Sequence, residues 1–278
     1  MNKAKVLGYV LSALTFSALP TQMSAQNDGY KLVWSDEFNE EGTPNAEVWT
    51  PEHGYVRNHE AQYYQWDNAH CHDGNLIIEA RKDSDRYTSS SIMTNRSFAF
   101  RYGRMEVRAR IPVGGGAWPA IWLLGQWKAD STDAHNVPWP SCGEIDVMEC
   151  YPIHEESHIL ANACWGDDRP NHAVWNSKRI PLSHFLKKDS LWAEKYHVWR
   201  MDWDSTAIAI YLDDELLNRI PVEETINGPI GHYESPFSHP HYILLNLALG
   251  GDNGGKIDDS RFPLRYYIDY VRVYQKEE

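Results

Sequence analysis

Residues 143–149 have the sequence Gly-Glu-Ile-Asp-Val-Met-Glu, which threads three carboxylates through apolar side chains. Side chains alternate between the two faces of an extended strand, so Glu144 and Asp146 share one face. Strict alternation would send Glu149 to the opposite face. One inserted residue, a β-bulge between Asp146 and Glu149, returns Glu149 to the acidic face. The stretch therefore predicts a bulged strand with three acids on one surface.

Three carboxylates on one surface repel one another, so their grouping calls for a chemical explanation. Glycoside hydrolysis uses two such groups, one at the anomeric carbon and one that protonates the leaving oxygen. The Cα atoms of Glu144 and Glu149 would lie ~13 Å apart, and side chains leaning inward on a concave sheet narrow the gap to the ~5–5.5 Å of a retaining enzyme. Asp146 could hydrogen-bond Glu144 and keep Glu149 protonated. The alternative is an exposed strand with ordinary surface acids.

The seven residues resemble the active-site signature of glycoside hydrolase family 16 in its bulged Glu-x-Asp-x-x-Glu form. That form is typical of laminarinase-like endo-β-1,3- and endo-β-1,3(4)-glucanases, and also of agarases and carrageenases. The resemblance extends from Trp34 to Tyr274. It implies Glu144 as the nucleophile, Asp146 as its assistant and Glu149 as the acid/base of a retaining endo-hydrolase of β-glucan, with no cofactor needed for catalysis.

The length and the first residues indicate one exported domain. The chain has 278 residues, 42% of them hydrophobic and 23% charged, which suffices for one sizeable core. Residues 1–25 are predicted to be a secretory signal, with Lys3 and Lys5 before an apolar run that is too short for a transmembrane anchor. We therefore expect residues 26–278 to form a single catalytic domain, exported to the periplasm or the cell exterior and monomeric.

Net charge narrows the range of partners. Loss of the signal takes the net charge from −13 to −15, because the segment contains two lysines and no acid. So acidic a chain disfavours nucleic acid and polyanionic partners and suits a neutral polysaccharide.

Most of the chain reads as β-strands separated by Gly, Asn, Asp and Pro. Many strands without βαβ alternation predict an all-β fold, a two-sheet antiparallel β-sandwich (jelly roll, concanavalin-like) with a concave substrate groove. One short helix is expected at Leu182–Leu186. The strand candidates are Leu32–Trp34, Asn75–Ala80, Tyr102–Ile111, Ala117–Leu124, His158–Cys164, His197–Trp203, Ala207–Leu212, Tyr242–Leu249 and Tyr267–Tyr274.

Aromatic residues are the second functional signal, with twelve Trp and sixteen Tyr. Trp118 and Trp122 share one strand face, and Trp139 comes shortly before the acidic strand. Indole faces match the C–H faces of pyranose rings, so these three tryptophans are predicted to line the groove. Core packing is the alternative.

Two further segments resemble sugar-binding stretches of the family. Residues 58–64, Asn-His-Glu-Ala-Gln-Tyr-Tyr, resemble its Asn-Asn-Glu-x-Gln-Tyr-Tyr segment, which implies that Asn58 binds a sugar on the non-reducing side of the cut. The alternative for Asn58 is a turn cap. Residues 102–108 also match, and Arg108 could reach a distal subsite, although an arginine on a sheet face is usually just solvated.

The resemblance also implies a structural calcium ion. In many family members a Glu and an Asp from the first and last strands meet a backbone oxygen, here Glu37, Asp269 and Gly74. Hard oxygen ligands suit Ca²⁺. A hydrogen-bonded acid pair that closes the sandwich is the alternative.

The four cysteines leave two alternatives open. Cys142 and Cys150 lie too far apart along one strand to bond to each other, whereas Cys150 and Cys164 could meet across a hairpin. Buried free thiols, including Cys71, are at least as favoured, because a sandwich of this size has core enough without disulfides.

Departures from the family pattern bear on specificity. Residues 250–253 are Gly-Gly-Asp-Asn where laminarinases often have Gly-Gly-Asn-Trp, residues 88–92 lack an Arg, and Cys164 stands where His is common. Mixed β-1,3/1,4-glucan is therefore at least as good a candidate as laminarin. An agarase or carrageenase of the same family and a non-catalytic glucan-binding module are the other classes. The acidity disfavours the first, and retention of both glutamates disfavours the second.

Overall fold

The computed structural model describes residues 29–126 and 137–277, so the predicted signal segment lies outside the described residues. Two short α-helices, α1 (Leu182–Leu186) and α2 (Gly251–Gly254), accompany eighteen strands within these ranges. The strands are β1 (Tyr30–Asp36), β2 (Thr50–Pro51), β3 (Gln62–Tyr64), β4 (Ala69–His72), β5 (Asn75–Asp83), β6 (Arg86–Ser89), β7 (Ser91–Met93), β8 (Ala99–Phe100), β9 (Gly103–Arg110), β10 (Ala117–Gly125), β11 (Glu144–Ile153), β12 (Glu156–Gly166), β13 (Ala173–Pro181), β14 (His197–Trp203), β15 (Ala207–Leu212), β16 (Glu215–Pro221), β17 (His241–Leu249) and β18 (Leu264–Lys276).

The strands form two sheets. Sheet I has the order β13-β12-β11-β10-β17-β7-β2, with β8 also paired to β17. Sheet II has the order β16-β15-β14-β9-β18-β5-β6-β3, with β1 beside β18 and β4 beside β5. Every pairing between these strands is antiparallel except that of β3 with β6. The predicted all-β sandwich is confirmed.

The hydrophobic core lies between the sheets. In β9, Met105, Val107 and Ala109 are buried in this core and alternate with half-buried charged residues, the period of a strand that is covered on one face. Trp199 and Tyr266 are fully buried there. Burial of each large apolar side chain stabilises the fold by about 1.5–3 kcal/mol, which fixes the register of both sheets.

The predicted bulge is present in β11. Asp146 pairs with Asn162 of β12, and Glu149 pairs with Leu160, so three steps along β11 match two along β12. Val147 and Met148 both enter the core as a result. The extra residue therefore returns Glu149 to the face that carries Glu144 and Asp146, as alternation with one bulge requires.

The predicted strands and the helix at Leu182–Leu186 are all present, and the main omissions are β13 and β16. All four cysteines are buried and free, which agrees with the thiol alternative. Within the described residues, no helix is long and apolar enough to cross a membrane.

Candidate active site

A cavity of about 580 Å³ opens on the face of sheet I that points away from the core. Its walls come mainly from β10, β11, β12, β13 and β17. The residues that line it are Arg57, Asn58, Glu60, Trp118, Ala120, Trp122, Leu124, Trp139, Glu144, Asp146, Glu149, Tyr151, Asn162, Trp175, Ser177, Arg179, Asn246 and Asn253. All three acids of the bulged strand and all three predicted tryptophans are thus brought to one cavity.

Glu149 is held between two neutral donors. The indole Nε1 of Trp118 donates to Oε1 of Glu149 at 2.8 Å, and Nδ2 of Asn162 donates to Oε2 at 2.8 Å. Burial is the main cause that raises the pKa of Glu149, to about 7, and the charge of Glu144 adds to it. The two hydrogen bonds act in the opposite direction. Glu149 is therefore poised to give and take a proton near neutral pH.

Asp146 links the two glutamates. Nδ2 of Asn162 also donates to Oδ2 of Asp146 at 3.1 Å, so one amide spans Asp146 and Glu149. Burial, followed by the charges of Glu149 and Glu144, raises the pKa of Asp146 well above its ordinary value. Its hydrogen bond with Glu144 acts in the same direction, which means that the protonated form of Asp146 donates to Glu144. Asp146 is therefore easier to protonate than an ordinary aspartate, and its protonated form can donate a hydrogen bond to Glu144.

Glu144 has a second fixed contact at the mouth of the cavity. The Nε1 of Trp139 donates to Oε2 of Glu144 at 2.9 Å. Trp139 is 37% exposed, whereas Trp118 and Trp122 are 6% and 8% exposed. Trp139 therefore combines an open indole with a direct contact to the acid predicted as nucleophile.

The model for "Glycosyl hydrolases family 16" matches residues 58–272, which include the bulged strand and every strand of sheet I from β10 onward. This is more than half of the chain. The chain belongs to glycosyl hydrolases family 16.

The similar proteins include glucanases, glycanases and a galactosidase. "Beta-glucanase" of Rhodothermus marinus is 35% identical over 96% of this chain and 93% of its own length. The laminarinase catalytic domain from Thermotoga maritima superposes with a TM-score of 0.73 at 32% identity, over 90% of this chain and 100% of that one. A structure described as "Prominent members of the human gut microbiota express endo-acting O-glycanases to initiate mucin breakdown" gives a TM-score of 0.76 at 30% identity, over 91% of this chain and 93% of that one. The chain spans between 34% and 60% of the length of several further curated relatives.

Trp122 and Asn58 lie on the β17 side of this family-16 cavity. Trp122 Nε1 donates to Oδ1 of Asn246 at 2.8 Å, and the guanidinium of Arg57 lies 5.2 Å from its ring centroid. Asn58 Nδ2 donates to Glu60 at 3.1 Å, so its side chain is fixed at the cavity wall. Both predicted residues thus line the cavity, but the ring of Trp122 is largely covered.

Arg108 does not lie in the groove, so its predicted sugar contact is not supported. It belongs to β9 in sheet II and pairs with Asp269, with its guanidinium 4.7 Å from the ring centroid of Tyr196. The alternation of β9 places its charged residues on the outer face of sheet II, on the far side of the core from the cavity.

The predicted calcium ligands do not fit a cation either. Glu37 accepts two hydrogen bonds from Arg272, at 2.9 and 2.6 Å, and Asp269 is paired with Arg108. A carboxylate that neutralises a guanidinium is a poor ligand for Ca²⁺, which draws its affinity from carboxylate charge. The chain pairs each predicted acid with an arginine, and the backbone oxygen of Gly74 as a ligand stays a prediction.

Several cavity residues were missed by sequence reasoning. Asn162 carries two of the hydrogen bonds described above, and its position follows from the hairpin register that sets it opposite Asp146. Trp175, Ser177 and Arg179 were missed because β13 was not predicted as a strand. The period-2 spacing of these three residues was the available signal.

Proposed function

We propose that this protein is a retaining endo-β-glucanase that cleaves laminarin or mixed-linkage β-1,3/1,4-glucan by double displacement. The observation that carries the proposal is Glu149, with its pKa raised to about 7, on the same cavity face as Glu144. A carboxyl that keeps its proton at neutral pH, beside a second carboxylate that is available for attack, is what this reaction requires.

In the first step Glu149 gives its proton to the glycosidic oxygen while a carboxylate oxygen of Glu144 bonds to the anomeric carbon. The bond from that carbon to the leaving oxygen breaks, and its electron pair goes to the leaving group. Trp139 donates a hydrogen bond to Oε2 of Glu144, and Asp146 is hydrogen-bonded to the same carboxylate, so both contacts orient Glu144 for attack.

In the second step the glycosyl ester is hydrolysed. Formation of the ester removes the negative charge of Glu144, which is one of the causes that raise the pKa of Glu149. The pKa of Glu149 therefore falls, and its carboxylate can accept a proton from water as the water attacks the anomeric carbon. Departure of the Glu144 carboxylate restores the starting state with the anomeric configuration retained.

The substrate assignment rests on the cavity surface. Trp139 presents an open indole at the mouth, and neutral amides from Asn58, Asn162 and Asn246 lie along the walls. Flat apolar faces and neutral hydrogen-bonding groups suit an uncharged glucan backbone.

The direct test is a product profile on laminarin, barley β-glucan and lichenan, with NMR detection of the anomer released first. We expect endo-cleavage products from at least one of these glucans and initial release of the β-anomer. Initial release of the α-anomer would exclude Glu144 as nucleophile.

A second candidate is an endo-hydrolase of galactose-containing chains in the same family. Asn253 lines the cavity in the segment where laminarinases often carry Trp, and the TM-score to the structure from gut O-glycanases is as high as that to the laminarinase. Agarose, κ-carrageenan and mucin O-glycans belong in the same substrate panel. Cleavage of these and of no glucan would favour the second candidate.

We also propose that the enzyme is exported and monomeric. Support comes from the basic start and apolar run within residues 1–25, which are typical of a secretory signal. Fractionation of expressing cells and mass measurement of the mature N-terminus test export, and light scattering tests the monomer.

A further inference from the structure

A row of three side chains follows the edge strand of sheet I on its cavity side. Trp175, Ser177 and Arg179 of β13 all line the cavity, as alternation along one strand allows. Arg179 pairs with Leu160 of β12, and Leu160 pairs with Glu149 of β11. In the same way, Trp175 pairs with Cys164, and Cys164 pairs with Glu144. β13 is two strands away from the catalytic strand, about 9.6 Å at the usual strand spacing.

The two arginines that line the cavity differ in their partners. Arg57 forms an ion pair with Glu52 and lies over the ring of Trp122, so it is committed to the wall. Arg179 is exposed, and across residues 29–126 and 137–277 no carboxylate lies within ion-pair distance of its guanidinium. Arg179 is therefore the cavity cation that is available to a ligand.

Trp175 supplies a platform beside this cation. Its side chain is 44% exposed, more than that of any predicted groove tryptophan. Ser177 lies between Trp175 and Arg179, about 6.6 Å along the strand from each, and its small side chain leaves room above the sheet. A sugar ring over Ser177 can stack against the indole while a substituent reaches the guanidinium.

We infer that Trp175, Ser177 and Arg179 form a further subsite, which takes a sugar unit that carries an anionic substituent such as a sulfate ester or a carboxylate. The inference deepens the proposed function and rests on it. A guanidinium binds planar or tetrahedral oxyanions through paired N–H groups, a geometry that neutral hydroxyls do not use as fully.

The distance from the catalytic acids makes an anion acceptable here. Glu144, together with Asp146 and Glu149 whenever these are ionised, would repel a negative group over the catalytic strand. The strand separation of about 9.6 Å exceeds the Debye length of ~8 Å at physiological ionic strength, so the repulsion is largely screened where the groove is open to water. The net charge of the whole chain therefore does not forbid an anionic group at β13.

The test compares laminarin, sparsely sulfated laminarin and carboxymethyl laminarin of matched chain length. We measure kcat/KM for the wild type, Arg179→Gln and Lys178→Gln, and calorimetric binding in a Glu144→Gln background with and without Arg179→Gln. We expect Arg179→Gln to lower kcat/KM and affinity about tenfold for both anionic polymers, the value of one charge-assisted hydrogen bond, and less than twofold for laminarin. Lys178→Gln removes the same charge from the opposite strand face and should change none of these values.

Equal losses on all three polymers would make Arg179 a general hydroxyl donor and overturn the inference. An unchanged affinity for the two anionic polymers would overturn it as well. A loss for one anionic polymer alone would identify the recognised group as sulfate or carboxylate. Failure of the wild type to cleave any glucan, with selective anionic binding intact, would count against the proposed function and not against the subsite.

Discussion

Two glutamates on opposite outer faces of the sandwich, Glu37 and Glu149, are held in opposite ways. On sheet II, Glu37 accepts two hydrogen bonds from Arg272, and this contact lowers its pKa. On sheet I, the side-chain donors to Glu149 among the described residues are a neutral indole and a neutral amide, and burial raises its pKa to about 7. The same residue type is thus held ionised on one face and poised to carry a proton on the other.

The contrast shows that the hydrogen-bond partners and the burial of an acid, together with the charges near it, decide its chemistry. A carboxylate bound to a guanidinium is stabilised as an anion and has little tendency to take up a proton. A buried carboxyl with neutral donors keeps its proton to a higher pH, which a general acid requires. The groove acids are catalytic candidates because no arginine neutralises Asp146 or Glu149 in the described part of the chain.

The largest expected effect comes from removal of the groove carboxyls. Glu144→Gln and Glu149→Gln should each lower kcat on β-glucan by at least about 10²–10⁴, because each amide fills the space but cannot attack or transfer a proton. Affinity for an oligosaccharide, measured by calorimetry, should change little.

Two controls sharpen this result. Glu37→Gln removes a carboxylate from sheet II and should leave kcat unchanged. Glu149→Gln should recover much of its kcat/KM, which reports the first step, on an aryl glycoside whose phenol leaves without protonation, whereas Glu144→Gln should not. Normal turnover by either groove variant would exclude the proposed mechanism.

The pH dependence gives the next largest effect. Glu149 must be protonated for the first step, so kcat/KM should fall as pH rises through its pKa of about 7 and then drop roughly tenfold per pH unit. Initial rates on laminarin between pH 5 and pH 9 measure this limb. A flat profile up to pH 9 would mean that Glu149 is not the acid.

Much of this contrast could be predicted from the sequence, because it depends on local rules. Period-2 alternation and one bulge placed Glu144, Asp146 and Glu149 on one face, and this followed from seven residues. The rule depends only on neighbouring residues along one strand. The assembly of two large sheets therefore does not change its result.

The errors concern partners that lie far away along the chain. Arg108 and Asp269 are 161 residues apart, and Glu37 and Arg272 are 235 residues apart. No local pattern shows that these acids meet arginines across β9, β18 and the end of β1. Sequence reasoning read them as a calcium set and a sugar contact, because it could not see which sheet face each occupied.

Sequence reasoning also missed Asn162, and its substitution is expected to have the next largest effect on the rate. Asn162→Leu removes the amide that donates to both Asp146 and Glu149, so the pKa of Glu149 should rise and the upper limb of the pH profile should move to higher pH. We expect kcat/KM at pH 6 to fall about tenfold, the value of one lost hydrogen bond to a charged group.

The matched control for this variant is Asn176→Leu on β13. Asn176 accepts a hydrogen bond from Asn218 of sheet II at 3.1 Å and does not line the cavity. Asn176→Leu should leave the pH profile of kcat/KM unchanged. A loss of rate in Asn162→Leu without any movement of the upper limb would reduce Asn162 to a packing role.

On sheet II the expected effects are small and concern stability. Arg272→Gln leaves Glu37 without its guanidinium, and because this pair is partly exposed we expect a loss of less than about 1 kcal/mol, seen as a modest fall in Tm. The pKa of Glu37 is lowered from 4.5 in the folded state, so this stabilisation is present at neutral pH and is lost as pH falls through the folded-state pKa. Thermal unfolding at pH 7 and pH 3 measures the change, and kcat/KM should match the wild type.

The smallest effect is expected from chelation. Glu37 and Asp269 each form an ion pair with an arginine, which neutralises the charge that calcium would need. EDTA should therefore leave both Tm and kcat/KM unchanged. Added Ca²⁺ should likewise not raise Tm in the wild type. The double variant Arg108→Gln, Arg272→Gln exposes both acids, and there Ca²⁺ should raise Tm if the arginines are what excludes the ion. A fall in wild-type Tm on chelation would mean that calcium displaces these arginines and holds the acids of sheet II.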